Sequence, residues 1–148
     1  MNILGAIVAG LFGTVIFSMV LMMAPRMGMP NMDIVGMLGA MFGKENRLLG
    51  WIMHAMMGIV FGLIYAFLWS IGIGTPTWIG GLIFGAAHWL IVGIVMGMIP
   101  MMHVGIRRGE VKAPGLWMTN NGGMMAFMGG LVGHIVFGIV TALVYSLF

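Results

Sequence analysis

The chain has 148 residues, of which 61% are hydrophobic and 6% charged, and its net charge is +3. That balance excludes a soluble globular domain and points to an integral membrane protein. There is no cysteine, so disulfides, thiolate metal sites and cysteine nucleophiles are excluded, and six dispersed basic residues make no interleaved patch for nucleic acid.

A hydrocarbon core of about 30 Å needs about 20 apolar residues per helix. The first stretch that qualifies is 3–24. It has no basic n-region and no A-x-A site before Ala24-Pro25, so it reads as a retained span and not a cleaved leader. Residues 30–42 then offer Asn31 as a helix start, Asp33 in the first turn, and Ile34, Met37, Leu38 and Met41 at helical spacing. This predicts a short interfacial helix whose apolar stripe faces lipid or the bundle. A second span covers 48–70, a short turn 72–77, and a third span 78–102. The connection 103–123 carries Arg107-Arg108, Pro114-Gly115 and Asn120-Asn121-Gly122-Gly123, and is predicted to be mostly irregular. A fourth span, 124–147, closes the chain. All four runs lack Lys, Arg, Asp and Glu. They are too long and too evenly apolar for barrel strands, which alternate over about ten residues. Trp51 and Trp117 are placed at the headgroup level on one side, Trp69 and Trp78 on the other.

All 6 basic residues, Arg26, Lys44, Arg47, Arg107, Arg108 and Lys112, fall in the first and third connections. Short loops rich in Lys and Arg stay cytoplasmic, so both termini and the 72–77 turn are expected outside.

Part of the sequence occurs twice. His54-Ala-Met-Met-Gly-Ile-Val-Phe-Gly-Leu-Ile-Tyr65 returns eighty residues later as His134-Ile-Val-Phe-Gly-Ile-Val-Thr-Ala-Leu-Val-Tyr145. At an offset of 75, Pro25 aligns with Pro100, Gly5 with Gly80 and Gly10 with Gly85. The expectation is one membrane domain, 1–148, built from two tandem helical hairpins, about 1–70 and 76–148, related by a pseudo-two-fold axis along the membrane normal. In a sequential ring, spans two and four are diagonal. His54 and His134 then share a layer. Small-x3-small pairs such as Gly58/Gly62, Gly81/Gly85, Gly93/Gly97 and Gly129/Gly133 are spaced for close helix contact.

Three histidines, His54, His88 and His134, lie within spans, where a polar ring must find a partner. One reading makes them cofactor ligands: His54 with His134, or His88 with His134, as axial ligands of a b-type haem admitted by Gly58, Gly130 and Gly138. The other has each imidazole neutral and hydrogen-bonded across helices, with Thr14 and Thr141 as available partners. Ser18, Ser70 and Ser146 read as interhelical hydrogen-bonding or terminal residues. Of 20 methionines only Met1 falls in the outer half. Thioethers beside imidazole suit Cu(I), which makes Met101, Met102 and His103 a candidate metal set. Flexible packing or partner contact is the alternative.

No catalytic constellation is present. Asp33, Glu45 and Glu110 all lie in connections near basic residues, and no phosphate-binding loop, H-E-x2-H or Ser/His/Asp set occurs. The segment Met27-Gly-Met-Pro-Asn-Met-Asp-Ile-Val-Gly-Met-Leu-Gly39, followed by Gly50-Trp-Ile-Met-His54 and the glycine-rich second span, resembles a family of small bacterial four-helix membrane proteins that carries a domain-of-unknown-function label. The resemblance is strongest from Met23 to Leu68. It implies a bacterial inner-membrane protein of this architecture and transfers no activity.

The leading expectation is therefore an all-α, polytopic, non-enzymatic membrane protein, an accessory or structural subunit embedded in the bilayer with other membrane subunits or with copies of itself. The alternatives are a haem b or Cu(I)-binding redox protein using the intramembrane histidines, and a small-solute transporter.

Overall fold

A computed structural model describes all residues, 1–148. In chain order the helices are α1 (Ile3–Met23), α2 (Ile34–Gly39), α3 (Arg47–Ser70), α4 (Trp78–Met98), α5 (Val104–Arg107) and α6 (Gly123–Tyr145). There are no strands. Four of the helices, α1, α3, α4 and α6, are long and apolar enough to cross a membrane. Asn2, Asn46 and Thr77 cap α1, α3 and α4, their side chains accepting from the amides of Gly5, Leu49 and Gly80. Both α1 and α4 run on into a 3-10 turn with proline at its start, Pro25 in one and Pro100 in the other. Proline lacks the N–H that would continue the α-helical ladder.

Helix α1 packs on α3 and on α6, and α4 packs on α6. Glycine sets the approach. A Cβ at Gly10 would strike the carbonyl of Gly58, and one at Gly138 would meet the backbone of Gly81 and Gly85. Lipid tails are as apolar as leucine, so close backbone contact replaces burial from water as the source of helix association. Helices α3 and α4 are instead joined by side chains, with Phe61 and Tyr65 reaching His88, and Trp69 reaching Phe84. These contacts complete a sequential ring with a wider gap between α3 and α4.

The four helices thus have two ends, one carrying the basic connections and one carrying the 72–77 turn. At the basic end the chain folds back into the bundle more than the sequence predicts. All six residues of α2 are buried, so the predicted interfacial helix is turned onto the bundle, against α3, and presents no stripe to lipid. Its cap is Asp33, which accepts from the Gly36 amide at 2.9 Å; Asn31 lies outside the helix. The carbonyls just past the end of α2 are taken by the 103–123 connection, where the Val104 amide donates to Met41 O at 3.0 Å and the Gly105 amide to Ala40 O at 3.2 Å.

The 103–123 connection is also more ordered than predicted. It holds α5 and a 3-10 stretch, Leu116–Asn121. Trp117 is not at the headgroup level: its Nε1 donates to Leu90 O at 3.2 Å, and its ring fills the space beside Gly93. Since Leu90 lies about 12 Å along α4 from its end at Met98 at 1.5 Å per residue, this segment dips well into the bundle. Trp69 differs from expectation as well. It is buried among Tyr65, Phe84 and Tyr145, and these four rings fill the turn end. Trp51 and Trp78 are exposed.

Candidate functional site

Three helices each bring one imidazole to the middle of the bundle. His54 comes from α3, His88 from α4 and His134 from α6, and each is only 8% exposed. They line one cavity of about 50 Å³, whose other walls include Thr14 and Phe17 of α1, Ile34 of α2, Met57 and Phe61 of α3, and Met96 of α4. The cavity lies where the α3 and α4 backbones stand apart. Aromatic contacts fix the rings. Phe17 lies 5.6 Å from His54 and 4.9 Å from His134 between centroids, Trp89 covers His134 at 4.8 Å, and Phe61 covers His88 at 3.8 Å. His88 and His134 are 4.8 Å apart with ring planes at 84°.

Hydrogen bonding decides which nitrogens carry protons. The Ser18 hydroxyl donates to Thr14 O at 2.7 Å, so toward His54 it can only accept. The 3.1 Å contact from His54 Nε2 is therefore an N–H donor, and Nδ1 is left as a bare lone pair, buried and without a partner. His134 has the opposite tautomer. Its Nδ1 meets Gly130 O at 2.8 Å, and a carbonyl only accepts, so Nδ1 holds the proton and Nε2 is bare. His88 Nδ1 meets the Tyr65 hydroxyl at 3.1 Å, where either can donate.

The predicted partners Thr14 and Thr141 do not serve the histidines. Thr14 donates to Gly10 O at 2.8 Å, and Thr141 Oγ1 has no partner. Ser18, already marked by the sequence as an interhelical residue, does serve one. Tyr65, eleven residues after His54 and so on the same face of α3, bonds across to α4, and only the tertiary arrangement shows that pairing. Tyr145 is not its equivalent, since its hydroxyl accepts from the Asn2 amide at 3.0 Å.

A haem does not fit these residues. The space at Gly58 is taken by Thr14 and Gly10, that at Gly130 by the Trp89 ring, and that at Gly138 by Gly81 and Gly85. Phe17 contacts both His54 and His134 where a porphyrin would have to lie. The cavity of about 50 Å³ is well below the ~150 Å³ of an apolar protein cavity that admits one benzene.

Met101, Met102 and His103 do not converge either. His103 is fully buried; its Nδ1 accepts from the Ile106 amide at 3.1 Å, and its Nε2 therefore donates to Met37 O at 2.7 Å. With both nitrogens committed it is the cap of α5 and a clamp on α2. Met101 and Met102 are 64% and 70% exposed, whereas His103 is buried. No three His, Cys, Asp or Glu side chains in the chain converge as a metal-binding group.

Fold and site together define a polytopic, all-α membrane protein of four spanning helices with three imidazoles in its interior. The sequence matches a family of unknown function, DUF6789, over residues 1–148, and the chain belongs to that family. No curated protein and no solved structure matches it.

Proposed function

We propose that this is a non-enzymatic membrane protein that holds a Cu(I) ion in the histidine-lined cavity, on the Nε2 atoms of His88 and His134. The observation that carries the reading is the tautomer of His134. A ring whose Nδ1–H is tied to a backbone carbonyl presents a bare, oriented Nε2, the arrangement that metal-ligating histidines use. His88 acquires the same form when its Nδ1–H donates to Tyr65. Thioethers of Met57 and Met96 line the same cavity and complete a soft ligand set.

Size and charge select the ligand class. The cavity takes an ion or a few waters and no ring. All its ligands are neutral and no carboxylate lines it, and the cost of placing an ion in an apolar medium rises steeply with its charge, so a singly charged soft ion is favoured over Zn(II) or a hard dication. The internal comparison points the same way. At the offset of 75 that aligns α1 with α4, His88 falls on Gly13, so a bundle of this kind packs without an imidazole at that position. The same offset, with 80 for α3 and α6, carries Gly10 onto Gly85 and Gly58 onto Gly138, the residues of the two glycine crossings. That correspondence supports reading the chain as two copies of one hairpin.

The test is an anaerobic titration of the purified protein with Cu(I) against the chromophoric chelator bicinchoninate. One Cu(I) per chain is expected for the wild type, with retention lost in the H88A/H134A variant and kept in M101L/M102L. A folded wild type that takes no Cu(I) from the chelator sinks the proposal.

A second reading, an accessory subunit in a larger assembly, draws support from the exposed methionines at the basic end, Met22, Met23, Met98, Met124 and Met125, whose flexible side chains suit adaptable contacts. The glycine pairs do not support it, because they are used inside the bundle. Co-migration with a partner in mild detergent is its test, and a chain that only ever runs free would end it. In both readings the basic connections face the cytoplasm of a bacterial inner membrane and the termini face outward. A transport path through the bundle is disfavoured by the four rings that fill the turn end.

A further inference from the structure

A second cavity, about 170 Å³, opens at the basic end and shares His54 and Ile34 with the inner one as a common wall. Its mouth carries Asp33 and Arg47, paired at 2.9 Å and 3.2 Å through both guanidinium nitrogens, and its sides carry Met22 and Met32. His54 separates the two spaces. It is more than nine-tenths buried, it is tethered on one nitrogen by Ser18, and its other nitrogen is an unpartnered lone pair. A buried acceptor left bare in a native fold asks for an explanation.

We infer that this outer cavity is the loading vestibule of the inner site, resting on the Cu(I) reading above. Cu(I) is received by the thioethers of Met22 and Met32, passes to the bare Nδ1 of His54, and is handed to His88 and His134. Each step exchanges one neutral soft ligand for another. No electron moves, the ion remains Cu(I), and the donor chelator's ligand stays outside. The Asp33–Arg47 pair neutralises the carboxylate at the mouth. Arg47 also bonds Glu45 at 2.9 Å, so removing the guanidinium leaves two unpaired acids beside the entrance.

Transfer of Cu(I) from bicinchoninate, followed by stopped flow, separates rate from equilibrium. M22L/M32L is close to conserving volume and is expected to slow loading about tenfold, a barrier increase of about 1.4 kcal/mol, with one Cu(I) per chain still bound at equilibrium. R47Q is expected to accelerate loading several-fold at low salt and to lose that gain at high salt, because the freed carboxylates attract the cation and salt screens them. Simple misfolding produces neither the acceleration nor its salt dependence. Loading rates unchanged in both variants, with wild-type binding intact, overturn the vestibule and leave the inner site standing. Absence of wild-type binding overturns the inner site itself.

Discussion

Trp117 occupies the space that Gly93 leaves open: a side chain on Gly93 would run into the indole, whose Nε1 donates to Leu90 O at 3.2 Å. The seat has a backbone cost, because Trp117 and Met118 both adopt positive φ, 49° and 58°, a region that L-residues occupy at the expense of order 1 kcal/mol. Gly93→Ala should therefore eject the indole and release the 103–123 connection, at about 1–3 kcal/mol of stability. Limited proteolysis after Arg107 or Arg108 is the readout. Unchanged cleavage in the variant would show that Trp117 does not anchor the connection.

The helix crossings predict a graded response to added methyl groups. At Gly58 a Cβ meets the Thr14 side chain and the Gly10 carbonyl, whereas at Gly97 its close contacts are with the Leu116 side chain alone. Gly58→Ala is expected to cost about 1–3 kcal/mol and Gly97→Ala a small fraction of that. Thermal unfolding in detergent compares them, and equal losses would contradict the crossing geometry.

Ser18 and Ser146 give a paired test of the histidine network. Ser18→Ala removes the acceptor of His54 Nε2–H, an interhelical bond of about 0.6 to 1.7 kcal/mol by the range for membrane proteins. Ser146 bonds only Leu143 O at 2.7 Å within an exposed last turn, so Ser146→Ala should be near neutral. Nitrogen-15 spectra of the imidazoles should show a single Nε2–H tautomer at His54 in the wild type and a mixture in Ser18→Ala. A mixed population in the wild type would remove the bare Nδ1 assigned to His54.

Acid should loosen α2 before the spanning helices. The Arg47 guanidinium, by hydrogen bonding, holds the Asp33 carboxyl below its ordinary value of 3.8, against a smaller opposing effect of burial and with further help from the Gly36 amide. For a carboxyl whose folded value is lowered, the stabilisation is fully present above 3.8 and is lost as pH falls through the lowered value. Amide exchange at Gly36 should accelerate over that window. Asp33→Asn, which keeps a capping oxygen but no charge, should abolish the pH dependence at a cost of no more than about 1 kcal/mol.

Much of this was legible in the sequence. The four spans followed from apolar run length, because hydrocarbon admits only segments that satisfy their own backbone polar groups. Glycine spacing marked Gly58, Gly62, Gly81 and Gly85 as contact residues, and His54, His88 and His134 stood out as polar rings in apolar runs. The absence of charge from the spans was equally plain, and it left the histidines as the only titratable interior groups besides Tyr65 and Tyr145. What could not be read was direction. A helix apolar on every side carries no periodic signal to say which face meets a neighbour, so the pairing of Gly10 with Gly58, of Ser18 with His54 and of Tyr65 with His88 was settled only by the tertiary structure. The same holds for the inward turn of α2, for Trp117 against Gly93, and for His103, which sequence grouped with Met101 and Met102. His103 is instead tied to Met37 O and the Ile106 amide, because buried backbone acceptors and donors must be paired and this side chain satisfies one of each.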